Sequence, residues 1–484
     1  MDRGVFIDGV WREGRAGVFS NTCPATGEAV WQGAAADPAD VAEAVASARL
    51  AFREWSRRAP QERIEVLERY AEEIGKRTAA IAETISRDMG KALWDSLAEA
   101  ATMKAKIGVS IAAMKERAGD RTETAAFGSA QLTHRPHGVM AVFGPFNFPG
   151  HLPNGHIVPA LLAGNTCVFK PSELAPGVAT LMAECFNAAG LPPGCLNIVQ
   201  GGRETGAALM DAGINGLLFT GSAATGVFFH KHFAGRPEVI LALEMGGNNP
   251  LIIWDPADVE AAADIAAQSA FLTTGQRCSC ARRIILPEGR FGDAVIDAIE
   301  ARAKALRIGA WDEPGIFMGP LVSERARDQA LAFQEMLRAH GSRSILALGG
   351  QARGGGFVTP GIVDTTEATG IPDEELFGPL MQIVRVKSFE DAVARANATK
   401  YGLSGGLVCD DDAMWNVAYR DMKAGILNRN RPTAGASGSM PFGGPGLSGN
   451  FRPGAYYAAD YCAWPQASQL AATATRMTAP GFPA

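Results

Sequence analysis

A thiol beside a cation is the first chemistry this sequence offers. In Phe271-Leu-Thr-Thr-Gly-Gln-Arg-Cys278-Ser-Cys280-Ala-Arg a helix-like stretch runs into a glycine, and Cys278 follows Arg277 directly. A neighbouring cation and a helix terminus both favour thiolate over thiol, which makes Cys278 a candidate nucleophile. A single cysteine is more often an inert part of a core, and local sequence does not separate the two. The Cys-x-Cys spacing lacks the further Cys/His cluster that a metal site needs, so no metal is expected.

Two other units offer partners for a thiol. Leu243-Glu244-Met-Gly-Gly247-Asn-Asn-Pro250 puts a carboxylate where an apolar strand leaves its sheet, a place where desolvation can raise its pKa and suit it to general base work. A solvated strand-end glutamate is the plain alternative. Gly144-Pro-Phe-Asn147-Phe-Pro holds an amide on a stiff turn, and an Asn NH2 with a backbone N–H can stabilise an oxyanion. Asn beside Pro is also a common turn former.

A nucleotide could be held in one of two ways. Gly444-Pro-Gly446-Leu-Ser-Gly449 matches G-x-G-x-x-G, but no long strand precedes it and Arg452-Pro453 stands where a helix would have to run, so it fails as a dinucleotide fingerprint. Leu217-Leu-Phe-Thr-Gly221-Ser222-Ala-Ala-Thr-Gly226 reads instead as strand, small-residue turn and helix, whose N-terminus receives a phosphate without a cation. Val168-Phe-Lys170-Pro-Ser-Glu173 ends a strand with an ammonium and a carboxylate, which suits a ribose and disfavours a 2′-phosphate.

The elements that must position these groups fall into a series. From Pro38 to about Met114 the periodicity is helical. After Arg135, apolar runs at Val139 to Phe143, Thr166 to Phe169, Leu196 to Val199, Leu217 to Thr220 and Val239 to Leu243 alternate with helical stretches, the pattern of a doubly wound parallel sheet. A second series takes in Leu251-Ile-Ile-Trp, Arg282 to Leu286, Met381 to Val386, Leu407-Val-Cys and Gly425-Ile-Leu, implying a second α/β domain. Gln131 to Arg135 and Tyr456 to Trp464 fit neither series and read as strands of an arm that pairs with another subunit, or of an internal hairpin. Ala471 to Ala484 reads as a loose tail.

Bulk properties narrow the function classes. With 484 residues, 47% of them hydrophobic, the chain is too long for one core, and two or three domains are expected. A net charge of −6 gives no cationic surface for nucleic acid or an anionic membrane. The start Met1-Asp2-Arg3-Gly4 leads into no apolar leader and no run approaches membrane-spanning length, so a cytoplasmic protein is expected. Its eight cysteines are scattered and should be reduced thiols.

Taken together, Pro145-Phe-Asn147-Phe-Pro149, Lys170-Pro-Ser-Glu173, Phe219-Thr-Gly221-Ser222, Glu244-Met-Gly-Gly247, Gly275-Gln-Arg-Cys278, Glu375-Leu-Phe377-Gly-Pro379 and Pro441-Phe442-Gly-Gly444 stand in family order. Over nearly its whole length the chain resembles the aldehyde dehydrogenase superfamily. The resemblance implies an α/β fold of two doubly wound domains plus a small β oligomerisation arm. The expected divisions are residues 1–117 and 136–245 for NAD binding, 246–445 for the catalytic domain, and 118–135 with 455–470 for the arm. A homodimer or homotetramer is expected.

The same resemblance implies that Cys278 attacks an aldehyde, that Asn147 and the Cys278 N–H bind the oxyanion, and that Glu244 activates water against a thioester. Lys170 and Glu173 would hold the adenosine ribose of NAD, and Gly221, Ser222 and Gly226 the pyrophosphate side. Glu375 and Phe377 would hold the nicotinamide end. Phe146 stands where the family often has Trp, Asn248 where it often has Lys, and Ala223-Ala224 where it often has Thr-Glu.

Phe146 to His156, Gly275 to Arg283 and Asn428-Arg429-Asn430-Arg431-Pro-Thr-Ala-Gly are similar to the branch that oxidises N-succinylglutamate 5-semialdehyde in arginine catabolism. That substrate carries two carboxylates besides its aldehyde, and guanidinium forks match carboxylates well. Arg277, Arg429 and Arg431, with Phe442, are therefore the expected substrate contacts, unless the arginines serve surface ion pairs. Gly155, where relatives often carry an aromatic, would widen the entrance. Other acidic semialdehydes, CoA-acylating chemistry and a structural role on the same fold are the rival readings. The presence of Glu244 weighs against the second, and the intact Cys278 and Asn147 against the third.

Overall fold

The computed structural model describes residues 4–477 and 479–483. The expected α/β architecture is present as two sheets of mostly parallel strands flanked by helices. Met1 to Arg3, part of the stretch from which the lack of a leader is inferred, lie outside the described residues, as do Thr478 and Ala484 of the tail. Among the described residues no helix is long and apolar enough to cross a membrane.

The first sheet runs in the order Ile240–Met245, Gly216–Gly221, Val139–Phe143, Thr166–Lys170, Leu196–Val199, Val5–Ile7, Val10–Arg12. Its first five strands are parallel and nearly all buried, as strands covered by helices on both faces must be. Absent from the sequence-based expectation is the antiparallel pair Val5–Ile7 and Val10–Arg12. Asp8-Gly9 joins them, both with positive φ, and an Asp-Gly between short apolar runs is a strong local hairpin signal.

Four helices precede the central strands: Pro38–Trp55, Pro60–Lys76, Thr78–Met89 and Leu93–Arg117. Asp37 and Asp40 form a capping box on the first, Pro60 opens the second, and Gly90 in the left-handed region closes the third. Val41, Ala44, Val45 and Ala48 form the buried stripe of the first helix against the sheet.

The second sheet runs Arg343–Leu346, Gly361–Asp364, Leu380–Val386, Ala281–Pro287, Asn249–Ile253, Ser404–Val408, Ile426–Arg429, parallel except for its first strand. Arg343–Leu346, Gly361–Asp364 and the helix Glu324–Ala339 extend it beyond the expected series.

A separate three-stranded sheet pairs Arg121–Ala125 with Gly128–Pro136, and the latter with Ala463–Leu470. Tyr456 to Trp464 is not one strand. Ala458–Tyr461 is a short helix with Ala458, Tyr461 and Cys462 buried against the helices beside the first sheet, so apolar packing overrides the alternating pattern and the strand begins only at Ala463. The Gly444 to Gly449 segment forms only a 3-10 turn, with no helix to present to a phosphate.

One buried ion pair braces the seam below the cleft. Lys91 Nζ meets Glu99 Oε2 at 2.7 Å with both side chains fully buried, while Glu99 Oε1 accepts from the N–H groups of Gly150 and His151. The carboxylate thus caps the start of the helix His151–Ala163 from a neighbouring element. Glu99→Ala leaves Lys91 an uncompensated buried charge and is expected to cost about 3 kcal/mol, read as a lower urea midpoint at unchanged m.

Candidate active site

Cys278 is carried by an unusual turn. The helix Val259–Phe271 ends two residues before Thr273, and Thr273 and Thr274 have φ values of 54° and 58°. Left-handed backbone is rare for β-branched residues, and here side-chain bonds hold it. Thr273 Oγ1 donates to Asp95 Oδ2 at 2.5 Å and Thr274 Oγ1 to Gly319 O at 2.8 Å. Gln276 Oε1 accepts from Val322 N at 3.0 Å. At Gly275, φ is 71° and a Cβ would lie 2.2 Å from Gly378 O, so glycine is required there.

Past the turn, Asn249 Nδ2 donates to the carbonyls of Cys278 and Cys280 at 2.7 and 2.9 Å, pinning the thiol-bearing backbone to the first strand of the second domain. Asn147 is buried with Nδ2 donating to Gln276 O at 2.9 Å, so the amide stands beside the turn that delivers Cys278.

The electrostatics around Cys278 differ from the sequence-based expectation. Arg277 turns away to Asp95 Oδ1 at 2.8 Å and to Thr273 Oγ1 at 2.7 Å. Burial, then the charges of Glu375 and Glu244, push the Cys278 thiol up to about 12 against a smaller lowering by Arg282. Adjacency in sequence placed a cation next to the thiol; the side chain's commitment to Asp95 removes it.

Glu244 lies near the end of Ile240–Met245 and is 5% exposed. Oε1 accepts from Gly454 N at 2.8 Å, and among the described residues Oε2 is buried without a hydrogen-bond partner. Burial raises its pKa well above the ordinary carboxylate range, outweighing the Gly454 bond. Desolvation of this kind makes a carboxylate a stronger base toward a nearby proton.

Cys278 and Glu244 open onto one cleft of about 700 Å³, between the helices Leu93–Arg117 and His151–Ala163 and the segment around Ala434 to Phe442. Phe148, Gly155, Arg277 and Phe442 line it. Gly155 leaves open space, because a Cβ there would meet only Lys106 Cε at 3.8 Å.

Arg429 and Arg431 do not line this cleft. Arg429 ends an edge strand, pairs with Asp412 at 2.5 Å and lies over Trp415, while Arg431 is exposed. Neither reaches the cleft, so within one chain the expected guanidinium contacts reduce to Arg277, already paired with Asp95.

The residues expected to hold a nucleotide lie at the C-terminal ends of the first sheet's strands and across the seam. Lys170 Nζ is 3.6 Å from Glu173 Oε2 and donates to Pro171 O at 2.9 Å. Ser222 caps the helix Ala223–His232, and a Cβ at Gly226 would lie 2.1 Å from Met245 Sδ, so a larger residue there would displace the Met245 side chain of the neighbouring strand. The open helix end and the small-residue turn fit a phosphate-bearing cofactor. Glu375 pairs with Arg282 at 3.1 Å and packs where a Gly246 Cβ would strike it. The Phe377 ring meets Phe146 edge-on. Among the described residues no three metal-ligating side chains gather.

Residues 11–465 match the family model described as the aldehyde dehydrogenase family. The chain belongs to the aldehyde dehydrogenase family. It is 56% identical over 471 residues, 97% of this chain and 96% of the other, to an N-succinylglutamate 5-semialdehyde dehydrogenase of Caulobacter sp. (strain K31). A protein of the same name from Burkholderia mallei (strain SAVP1) is 53% identical over 96% of both chains. A Mycobacterium tuberculosis aldehyde dehydrogenase solved with NAD+ superposes with a TM-score of 0.91 at 30% identity, over 98% of this chain and 99% of that one. The protein is therefore an aldehyde-oxidising oxidoreductase.

Several residues that shape this dehydrogenase's cleft were not singled out from sequence. Asn249, Asp95, Lys106 and the trio His156, Tyr461 and Thr220 are brought in from distant segments, with His156 bonded to Tyr461 Oη at 2.9 Å and Thr220 Oγ1 at 3.0 Å. Asn249, Thr220 and His156 fell inside the motif segments around Glu244, Gly221 and Asn147, whereas Asp95 and Lys106 carried no signal.

With its pKa pushed up to about 12, Cys278 in the free enzyme is a thiol at neutral pH. Its alkylation by iodoacetamide, followed on the Cys278 peptide by mass spectrometry, should rise about tenfold per pH unit from pH 7 to 9. A plateau below pH 8 would contradict the desolvated setting.

Proposed function

We propose that this aldehyde dehydrogenase oxidises N-succinyl-L-glutamate 5-semialdehyde to N-succinyl-L-glutamate with NAD+ as acceptor, a step of arginine breakdown. The observation that carries the reaction is Cys278 and Glu244 on the wall of one desolvated cleft, with Asn147 beside the Cys278 turn. Similarity along nearly the whole chain to relatives of that name supports the substrate.

In this reading Cys278 Sγ bonds to the aldehyde carbon and its proton passes to the buried carboxylate or to solvent. The oxygen of the resulting thiohemiacetal is held by Asn147 Nδ2 and the Cys278 N–H, which prefer a developing negative charge. NAD+, when bound, supplies the hydride acceptor. Cys278 then carries the acyl group as a thioester, and Glu244 takes a proton from the water that cleaves it, freeing the acid and restoring the thiol. The presence of a base aimed into the cleft favours water over CoA as the acyl acceptor.

Lys170 and Glu173 would hold the adenosine ribose, and Gly221, Ser222 and Gly226 would admit the pyrophosphate. Glu375 and Phe377 would face the nicotinamide end. The carboxylate of Glu173 disfavours a 2′-phosphate and supports NAD+ over NADP+. We assign the dinucleotide to residues 1–117 and 136–245 and the nucleophile to 246–445. The arm is assigned to residues 118–135 with 455–470, whose strand is Ala463–Leu470. Its exposed edge strand Arg121–Ala125 supports pairing between copies in a homodimer or homotetramer, and the protein is placed in the cytoplasm.

NADH formation should be at least about tenfold faster in kcat/KM with N-succinylglutamate semialdehyde than with succinate semialdehyde or a simple aliphatic aldehyde. Equal values across that panel would sink the substrate assignment. Cys278→Ala should abolish turnover, whereas Glu244→Ala should lower kcat by about a hundredfold or more and accumulate a covalent thioester seen by intact-protein mass spectrometry.

A further inference from the structure

The charges around the cleft leave one residue unmatched. Asp95, Glu99, Lys106 and Arg277 line it. Arg277 is taken by Asp95 at 2.8 Å and Glu99 by the buried Lys91 at 2.7 Å. Lys106 has neither: it is 4% exposed, and among the described residues its Nζ has no hydrogen-bond partner. The other titratable groups on the wall do not compensate it. His151 and His156 are held neutral by burial and by the Lys106 charge, both pushed down to about 3, and burial drives Glu244 toward its uncharged form. A buried ammonium without a counter-charge is a costly arrangement that an arriving anion relieves.

The surroundings leave such an anion a way in. Lys106 sits on the helix Leu93–Arg117, and across from it the helix His151–Ala163 presents Gly155. A Cβ at Gly155 would lie 3.8 Å from Lys106 Cε with nothing else within 4 Å, so no side chain from this position packs over the end of the lysine stem.

We propose that Lys106 receives a carboxylate of the substrate and sets the enzyme's preference for acidic aldehydes, an inference that rests on the reading of this cleft as the site of aldehyde oxidation. Burial lowers the Lys106 pKa to about 8, which leaves the ammonium charged at neutral pH and sensitive to a partner. Recognition then falls to a residue remote in sequence from the arginines, and Gly155 leaves the space beside its Cε unfilled.

The test compares N-succinyl-L-glutamate 5-semialdehyde with its neutral dimethyl ester, in wild type, Lys106→Met and Lys106→Arg, as the ratio of the two kcat/KM values. The expected result is a ratio at least about tenfold lower in Lys106→Met, carried mainly by KM, and largely retained in Lys106→Arg. A purely structural lysine would depress both substrates alike, and an unchanged ratio in Lys106→Met overturns the proposal while leaving the substrate assignment intact. A wild-type ratio near one overturns the substrate assignment itself, and the role of Lys106 with it. Thermal shift supplies a readout besides activity: N-succinyl-L-glutamate should raise the Tm of wild type more than that of Lys106→Met, and equal shifts count against the proposal. Should Lys106→Met fail to fold, Gly155→Leu fills the space beside Lys106 Cε and must lower the same ratio; if it does not, the proposal falls.

Discussion

Thr273 and Thr274 adopt backbone conformations that β-branched residues avoid, at a cost of roughly 1–3 kcal/mol each, and the candidate site is organised around holding them there. The bonds that do so reach into both halves of the molecule. Asp95 comes from the long helix of the first domain, Gly319 and Val322 from a loop of the second. Arg282, almost fully buried, donates to the carbonyls of Gly275 and Arg277 and closes the turn from behind. The turn that carries Cys278 is thereby bonded to elements of both halves at once.

Desolvation is the second consequence of that position. Cys278, Glu244 and Glu375 all sit in a low-dielectric seam where burial disfavours their charged forms. Such a site is quiet when empty, since a neutral thiol is a poor nucleophile, and a buried acid near it becomes a competent proton acceptor only as charge moves. The same dryness makes every ionic contact stronger, which is why the pairs Lys91 to Glu99 and Arg277 to Asp95 are tightly matched and why an unmatched lysine on the wall stands out.

Much of this was legible beforehand. Most parallel strands of both sheets carry apolar runs, so their positions followed from the pattern, Gly361–Asp364 excepted, and the motif order pointed to Cys278, Glu244 and Asn147 as a candidate set. The Asp8-Gly9 hairpin carried its own local signal and was nonetheless absent from the expected series. Tyr456 to Trp464 read as a strand because alternation over a few residues does not record that Ala458 and Tyr461 are buried in a core built from elements three hundred positions earlier.

The sequence by itself determined which residues can do chemistry and the order of the elements that carry them, because side-chain type and periodicity are local properties. Only the tertiary structure decided what each group faces. Arg277 lies next to Cys278 in the chain yet serves Asp95, Arg429 and Arg431 stand outside the cleft, and Lys106, with no local mark at all, lines it. Charge acts through space and through the dielectric between groups, neither of which is written in adjacency along the chain.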